Sequence, residues 1–401
     1  MHQAEPPDPA GYGSRRFCFV LPAPERYGPG AGGAIATVTR QVGAALLRAG
    51  HQVSVLTPDD GGPVYAAGEV HRLRYGEAHR PPSLVHKAHV VEARLRRWVW
   101  ADYGSYLRQV RSCIGRLRPR PEVLVVANDP ILAAEVQRRW PDTEVVLWLH
   151  NLLQGPEARG LGAPPAHLHL VAVSDAVRRW TAINHGIDPD AIGVIHNGVD
   201  GEEFHPAEDY LAPRPVLRVI CHGRIDPNKG QDAAARAVAT LRQWGAPITF
   251  TLVGGVRTFG LPEDEVVAYV TRLDRAVADA EGTSLGKVPP TEVAELLRRH
   301  DVCCVLSRNP DPMPLTVLEG MASGCAMVTT DLGGLPEAIG DAGILVPPDD
   351  PDRLVAALTS LLDDPTVLAD WRRRARTRSE LFTWDAAAAR LLALVGPAGS
   401  V

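Results

Sequence analysis

The chain contains no apolar run approaching the roughly 18 residues that a membrane-crossing helix needs. Its opening stretch, Met1 to Ser14, lacks the basic-then-apolar layout of a secretory signal, so we expect a soluble, cytoplasmic protein. Cysteine is scarce, with six residues at 18, 113, 221, 303, 304 and 325 and no Cys-x-x-Cys pair. Four of the six sit inside apolar runs that read as strands, which suits buried thiols rather than disulfides or zinc ligands. An excess of basic charge is also missing: Lys+Arg 42 against Asp+Glu 47 leaves a net charge of −5. That excludes the domain-wide positive field of a nucleic-acid-binding protein, while still allowing a local basic patch. Lysine is the rarest cation, with Lys87, Lys229 and Lys287 set against 39 arginines. Each of the three therefore invites a question about its place.

What is present is ample material for a core, since 401 residues with 45% hydrophobic content suit two or three domains. Short apolar runs recur at Phe17 to Leu21, Gln52 to Leu56, Val123 to Val126, Val145 to Leu149 and His169 to Val173. A second set follows at Val216 to Cys221, Ile248 to Val253, Val302 to Leu306, Ala326 to Thr329 and Gly343 to Val346. Nearly continuous apolar runs are what parallel strands covered on both faces require. Amphipathic stretches between them, such as Thr37 to Ala49, Gln231 to Trp244, Glu263 to Ala280 and Thr291 to Arg299, read as crossover helices. The pattern predicts an α/β protein of two doubly wound, Rossmann-like domains, with Val199 to Pro215 as the linker between them. Ligands are then expected between the domains, outside the carboxyl ends of strands.

Three polar clusters carry chemistry. Gly28-Pro29-Gly30-Ala31-Gly32-Gly33 formally satisfies the dinucleotide-binding pattern G-x-G-x-x-G, yet it comes well after the strand that ends near Leu21, where a true fingerprint turns at once. The better reading is that Gly32 and Gly33 let an anion or sugar approach the N–H groups at a helix start. Cys221 to Gly230 holds Arg224, able to grip phosphate oxygens bidentately, and Lys229, a point charge near a helix N-terminus. Asn309 to Gly324 places Asp311 in a Pro-rich loop and Glu319 about one turn into a helix that starts near Leu315. Both carboxylates can face one cleft, and the N–H groups of Leu315 and Thr316 are available to phosphate.

Gly223-Arg224 followed by Lys229-Gly230, then Asp311-x7-Glu319 running into Gly-Met-Ala-Ser-Gly, resembles the retaining glycosyltransferases of family 4. Supporting stretches are Ile195 to Asp200 with Phe204-x-Pro206, Val173-Ser174, Leu252 to Gly255, and Asp331-x-Gly333-Gly334-Leu335-Pro336-Glu337, so the likeness spans roughly residues 15 to 395. The resemblance implies a GT-B fold, with residues 1–205 binding acceptor, 206–382 binding a nucleotide-sugar donor, and a helix in 383–401 returning to the first domain. It implies that Glu319 holds the ribose hydroxyls, that Asp311 contacts the donor sugar, and that His150 stands near the anomeric carbon. Gly32, Gly33, Arg224, Lys229, Met313, Pro314, Leu315 and Thr316 complete the expected donor site. Arg224 and Lys229 would neutralise the diphosphate leaving group, where negative charge develops, so neither metal nor other cofactor is expected. The implied reaction moves a hexose or amino-hexose from a nucleoside diphosphate sugar, UDP-linked by preference, to a small hydroxylated acceptor such as a cyclitol or other natural-product intermediate, with lipid and polysaccharide acceptors as alternatives.

Two departures from the family pattern bear on the sugar. Asp311 stands where glutamate is usual, one methylene shorter, and Pro314 stands where glycine is usual, removing a backbone N–H. They keep a non-catalytic nucleotide-sugar-binding protein as a second reading. Asp188-Pro189-Asp190 spells a metal-binding Asp-x-Asp, but its setting reads as a turn. Between Ala93 and Arg120, eight arginines are interleaved with Trp98, Trp100, Tyr103 and Tyr106, a pattern that suits a solvated helix or an acceptor-site wall better than a membrane surface.

Overall fold

The computed structural model describes residues 13–29, 33–75, 103–161, 168–257 and 262–397. They divide into two compact units: unit 1 is Met1–Asn197 with Trp384–Val401, and unit 2 is Gly198–Thr383.

Unit 1 is built on a parallel sheet of β1 (Arg16–Val20), β2 (Gln52–Pro58), β3 (Glu69–Leu73), β4 (Val123–Ala127), β5 (Glu144–Leu149), β6 (Leu168–Ala172) and β7 (Ile192–Val194), in the order β3-β2-β1-β4-β5-β6-β7. β4 reads Val-Leu-Val-Val-Ala and is buried at every position, as a central strand covered on both faces must be. Its described helices are α1 (Ala34–Arg48), α2 (Tyr103–Arg116), α3 (Pro130–Arg139) and α4 (Asp175–His185).

Unit 2 repeats the plan with β8 (Leu217–His222), β9 (Ile248–Val253), β10 (Thr283–Ser284), β11 (Val302–Val305), β12 (Ala326–Thr330) and β13 (Ile344–Val346), in the order β10-β9-β8-β11-β12-β13. Its helices are α5 (Gln231–Gln243), α6 (Glu263–Asp279), α7 (Pro290–Arg299), α8 (Leu315–Ala322), α9 (Leu335–Ile339), α10 (Pro351–Asp363) and α11 (Pro365–Ser379). The core beneath α5 is lined by alanines 234, 235 and 237, small residues that let the helix lie close on Val219, Phe250 and Leu252.

The stretch read from sequence as a linker, 199–215, belongs to unit 2: the N–H of Val199 donates to Phe382 at 2.9 Å, and Phe204 is buried. The last helix, α12 (Trp384–Val395), belongs to unit 1 and packs on α1. Arg15 donates 2.7 Å hydrogen bonds to the carbonyls of Val395 and Gly396, so the end of α12 is fastened beside the start of β1. All six cysteines are free thiols, five of them buried. Among the described residues, no helix is long and apolar enough to cross a membrane.

Candidate active site

In unit 2 the strand order changes direction between β8 and β11, the kind of switch point at which loops leaving the carboxyl ends of neighbouring parallel strands diverge and ligands bind. The two polar clusters singled out in this half of the sequence are those two loops. After β8, Gly223 and Arg224 lead to Asp226, whose carboxylate accepts from the N–H of Asn228 at 2.9 Å and starts a single turn over Pro227–Lys229. Gly230 then takes a left-handed φ of +63°, and a Cβ there would lie 2.0 Å from the carbonyl oxygen of Leu306. Only glycine fits, and Lys229 is thereby delivered to the β11 loop.

That loop brings Ser307, Arg308 and Asp311. The Lys229 ammonium donates to Asp311 Oδ2, and Ser307 Oγ donates to the same oxygen at 3.1 Å. The Asp311 backbone rests on the Gly333-Gly334 turn, where the N–H of Gly334 donates to its carbonyl at 2.7 Å and a Cβ on Gly333 would fall 2.3 Å from that oxygen. The Lys229 side chain is 26% exposed against 10% for Asp311, so the ammonium keeps an open side for a ligand while the carboxylate is largely committed. An ammonium has three donors, and one is used here.

Arg308 joins the two loops. Its guanidinium meets both oxygens of Asp232 at 2.8 and 3.0 Å and the carbonyl of Pro227 at 2.7 Å, while its own N–H donates to Asn228 at 2.7 Å. The guanidinium also donates to Asp349 at 2.7 Å, and the arginines 308 and 236 keep the Asp232 carboxyl below its ordinary range despite burial. Sequence reading passed over Arg308, Asp232 and Ser307. Their signal was available only as proximity to motif positions, Ser307 four residues before Asp311 and Asp232 two after Gly230.

Arg224 is turned differently from Lys229: its Nε lies 3.5 Å from Asp226, and its carbonyl accepts from Gln231 at 2.7 Å. Helix α8 begins after Pro314, in extended conformation, with no side chain capping it, so the first-turn N–H groups at Leu315 and Thr316 and the positive end of the helix dipole are offered to an anion. Met313 beside it is buried. Farther along α8, Glu319 lies 3.6 Å from His222 at the end of β8. Burial pushes the Glu319 carboxyl up to about 7, with the negative charge of Glu203 adding to the effect, and burial pushes His222 down to about 4.

Unit 1 holds the remaining candidates. His150 follows β5; its N–H donates to Asn128 Oδ1 at 2.7 Å, and its ring lies against Trp148 with centroids 5.1 Å apart. Burial pushes it down to about 3, so the imidazole is neutral near neutral pH. Asn128 holds it from a left-handed φ of +53°, directly after β4. Asp129 then caps α3 through Leu132 at 2.9 Å and accepts from the Tyr103 hydroxyl at 2.5 Å. Gly33 caps α1 with no side-chain bond, and a Cβ there would stand 1.9 Å from a Glu25 carboxylate oxygen, so a carboxylate of the chain itself already lies over that helix start. Gly32 lies outside the described residues. Of the basic stretch, only 103–120 is described; Tyr103 and Tyr106 are buried, and Tyr106 donates to the carbonyl of Leu21 at 2.9 Å, which makes both rings core. Asp188 accepts from the N–H of Asp190 at 3.0 Å within a short turn, as read from the sequence.

Two family models match the chain: "Glycosyltransferase Family 4" over residues 31–203 and "Glycosyl transferases group 1" over 217–364. A phosphatidyl-myo-inositol mannosyltransferase of Mycolicibacterium smegmatis is 28% identical, over 90% of this chain and 89% of its own. A D-inositol 3-phosphate glycosyltransferase of Segniliparus rotundus is 32% identical over 56% of this chain; the chain spans about half, 52%, of that relative's length. Among solved structures, sucrose-phosphate synthase from Thermosynechococcus elongatus superposes with a TM-score of 0.71 at 19% identity, covering 94% of this chain and 97% of that one. Anabaena HepE, solved in complex with UDP and glucose, superposes at 0.66 and 17% identity, covering 94% and 98%. These similarities establish the GT-B fold.

Proposed function

The chain belongs to the family 4, group 1 glycosyltransferases, and from that premise we propose that it transfers a hexose, with retention, from a nucleoside diphosphate sugar to a hydroxyl of an inositol-type acceptor. The observation that carries the reading is the β8–β11 switch point of unit 2, where the loop bearing Arg224 and Lys229 meets the loop that leads, through Asp311, into the uncapped start of α8. A diphosphate needs such a place, and so does the charge that develops on it as the sugar leaves. In this reading Lys229 keeps one N–H on Asp311 and turns the others to phosphate, while Arg224 swings from Asp226 to the same group. Two cations and a helix N-terminus supply neutralisation without a metal ion. The departing phosphate takes the acceptor's proton on the face from which it leaves, which agrees with the absence of any dedicated nucleophile among the motif residues.

Glu319 receives the ribose hydroxyls, and Asp311, held short and nearly buried, positions Lys229 and meets the sugar at its edge. His150, neutral, is assigned a hydrogen-bonding role toward the sugar or acceptor and not that of an acid. UDP is the proposed nucleotide. Similarity to a phosphatidyl-myo-inositol mannosyltransferase and a D-inositol 3-phosphate glycosyltransferase favours a cyclitol phosphate or its lipid over other acceptors. The test is product formation from UDP-glucose, UDP-N-acetylglucosamine and GDP-mannose with myo-inositol phosphate or phosphatidylinositol vesicles as acceptor. Transfer to one of the two fixes the acceptor class; tight nucleotide binding with no transfer to any hydroxylated acceptor would support the non-catalytic reading instead.

A further inference from the structure

His222 closes β8 and faces two groups on α8 at once. Its Nε2 lies 3.2 Å from the carbonyl oxygen of Thr316. A carbonyl can only accept, so Nε2 carries the ring hydrogen, and in a neutral imidazole Nδ1 is then a bare lone pair. That lone pair stands 3.6 Å from Glu319 Oε2. An ionised carboxylate would set acceptor against acceptor, whereas a carboxylic acid offers an O–H to Nδ1. The gap is about 0.7 Å longer than a formed bond, which a small turn of the Glu319 side chain closes. The His222 side chain is 3% exposed and that of Glu319 21%, so the ring is sealed while the carboxyl keeps one face open to a ligand.

We propose that His222 is a positioning residue for the donor: with its hydrogen fixed on Nε2 by Thr316, it keeps Glu319 as a carboxylic acid in the empty site, and nucleotide binding expels that proton to solvent. The inference rests on Glu319 receiving the ribose hydroxyls. A ribose diol presents two donors, and only the ionised carboxylate has both oxygens free to accept them. The O–H bond of the carboxyl breaks, the proton passes to water, and no other bond changes. Among the described residues, none of the titratable groups that bear on Glu319 opposes this starting state. Burial lowers His222 and so opposes an imidazolium, Glu203 adds negative charge, and the Cys303 thiol on β11 is itself held protonated by burial.

The test is calorimetric titration of the whole chain with UDP, and with GDP, ADP and dTDP alongside, in buffers of differing ionisation enthalpy from about pH 6 to about pH 8.5, which counts the protons released. The terminal phosphate of the probe titrates at about pH 6 in every variant, so the readout is the difference between the parent and Glu319→Gln. The parent should release about half a proton more than Glu319→Gln near pH 7, and its affinity should rise several-fold between pH 6 and pH 7.5 and then level off. His222→Phe, which keeps a ring but removes the Nδ1 acceptor, should move that midpoint to lower pH. Equal proton release by parent and Glu319→Gln, which requires no His222 variant to fold, overturns the inference, as does a midpoint that His222→Phe leaves in place. If none of UDP, GDP, ADP and dTDP binds the parent, the donor-site reading itself falls and takes this inference with it.

Discussion

Lys229 and Asp311 are the residues on which the account turns. Because the ammonium is paired yet partly open, Lys229→Ala should lower kcat by about 10²–10³-fold, the scale of losing one preorganised donor to a developing anion. Asp311→Ala should reduce turnover more than UDP affinity, and Arg224→Ala should reduce both, a split read from kcat and from Kd measured separately. Steady-state kinetics with saturating acceptor checks all three. Unit 1 offers a test by pH. Burial raises Asp129 to about 6 from 3.8, so the fold holds its proton more tightly than the unfolded chain does. Stability from this group is therefore present below pH 3.8 and is lost as pH rises through about 6, by an amount of order 3 kcal/mol. Asp129→Asn should flatten that part of the Tm–pH curve; an unchanged slope would remove Asp129 as its source. Motif residues of the site were legible in the sequence because glycine, lysine and acid at fixed spacing have few other uses together. Arg308, Ser307 and His222 were not, since their partners lie 76, 4 and 94 positions away and no spacing rule links them.

At the scale of elements, the strand runs stood out because parallel strands buried on both faces leave an unbroken apolar signature, as in β4, β5 and β11. Of the edge strands β13 was read, at Gly343 to Val346, while β3 and β10 were missed for the same reason: β3 is Glu-Val-His-Arg-Leu with one buried residue, and β10 is two exposed residues. Turn chemistry was legible where one residue type alone fits. At Gly230, φ is +63° and Leu306 blocks any Cβ, so Gly230→Ala should destabilise unit 2 by at least about 1 kcal/mol and, by displacing Lys229, weaken UDP binding as well. Thermal melting and UDP titration of the variant check the two effects. Pro314 acts on the same scale. Replacing it with glycine supplies an N–H at the start of α8, and Pro314→Gly should change the ranking of donor sugars while leaving UDP affinity within about threefold, as a panel of UDP-sugars would show.

For the whole molecule, the chain leaves unit 1 after Asn197 and returns to it at Trp384. α12 lies on α1, and its end is held by Arg15, while Arg48 and Asp385 pair at 2.7 Å on the surface. The residues of α12 read only as a helix with no strand after it, and its return to the first domain was expected from the family resemblance alone, because the contacts that hold it join residues some 340 to 380 apart in the chain. Nucleotide binding at the β8–β11 switch point of unit 2 should stabilise that unit against heat. We would record melting of the parent and of the Arg224→Ala/Lys229→Ala variant with UDP, GDP, ADP, dTDP and NAD, with and without EDTA. A ligand at about 100 times its Kd stabilises its site by about 2.7 kcal/mol. The parent's unit 2 transition should shift with one nucleoside diphosphate, UDP foremost, unaffected by EDTA and abolished in the variant. A shift with NAD alone, or one that survives loss of both cations, would contradict it.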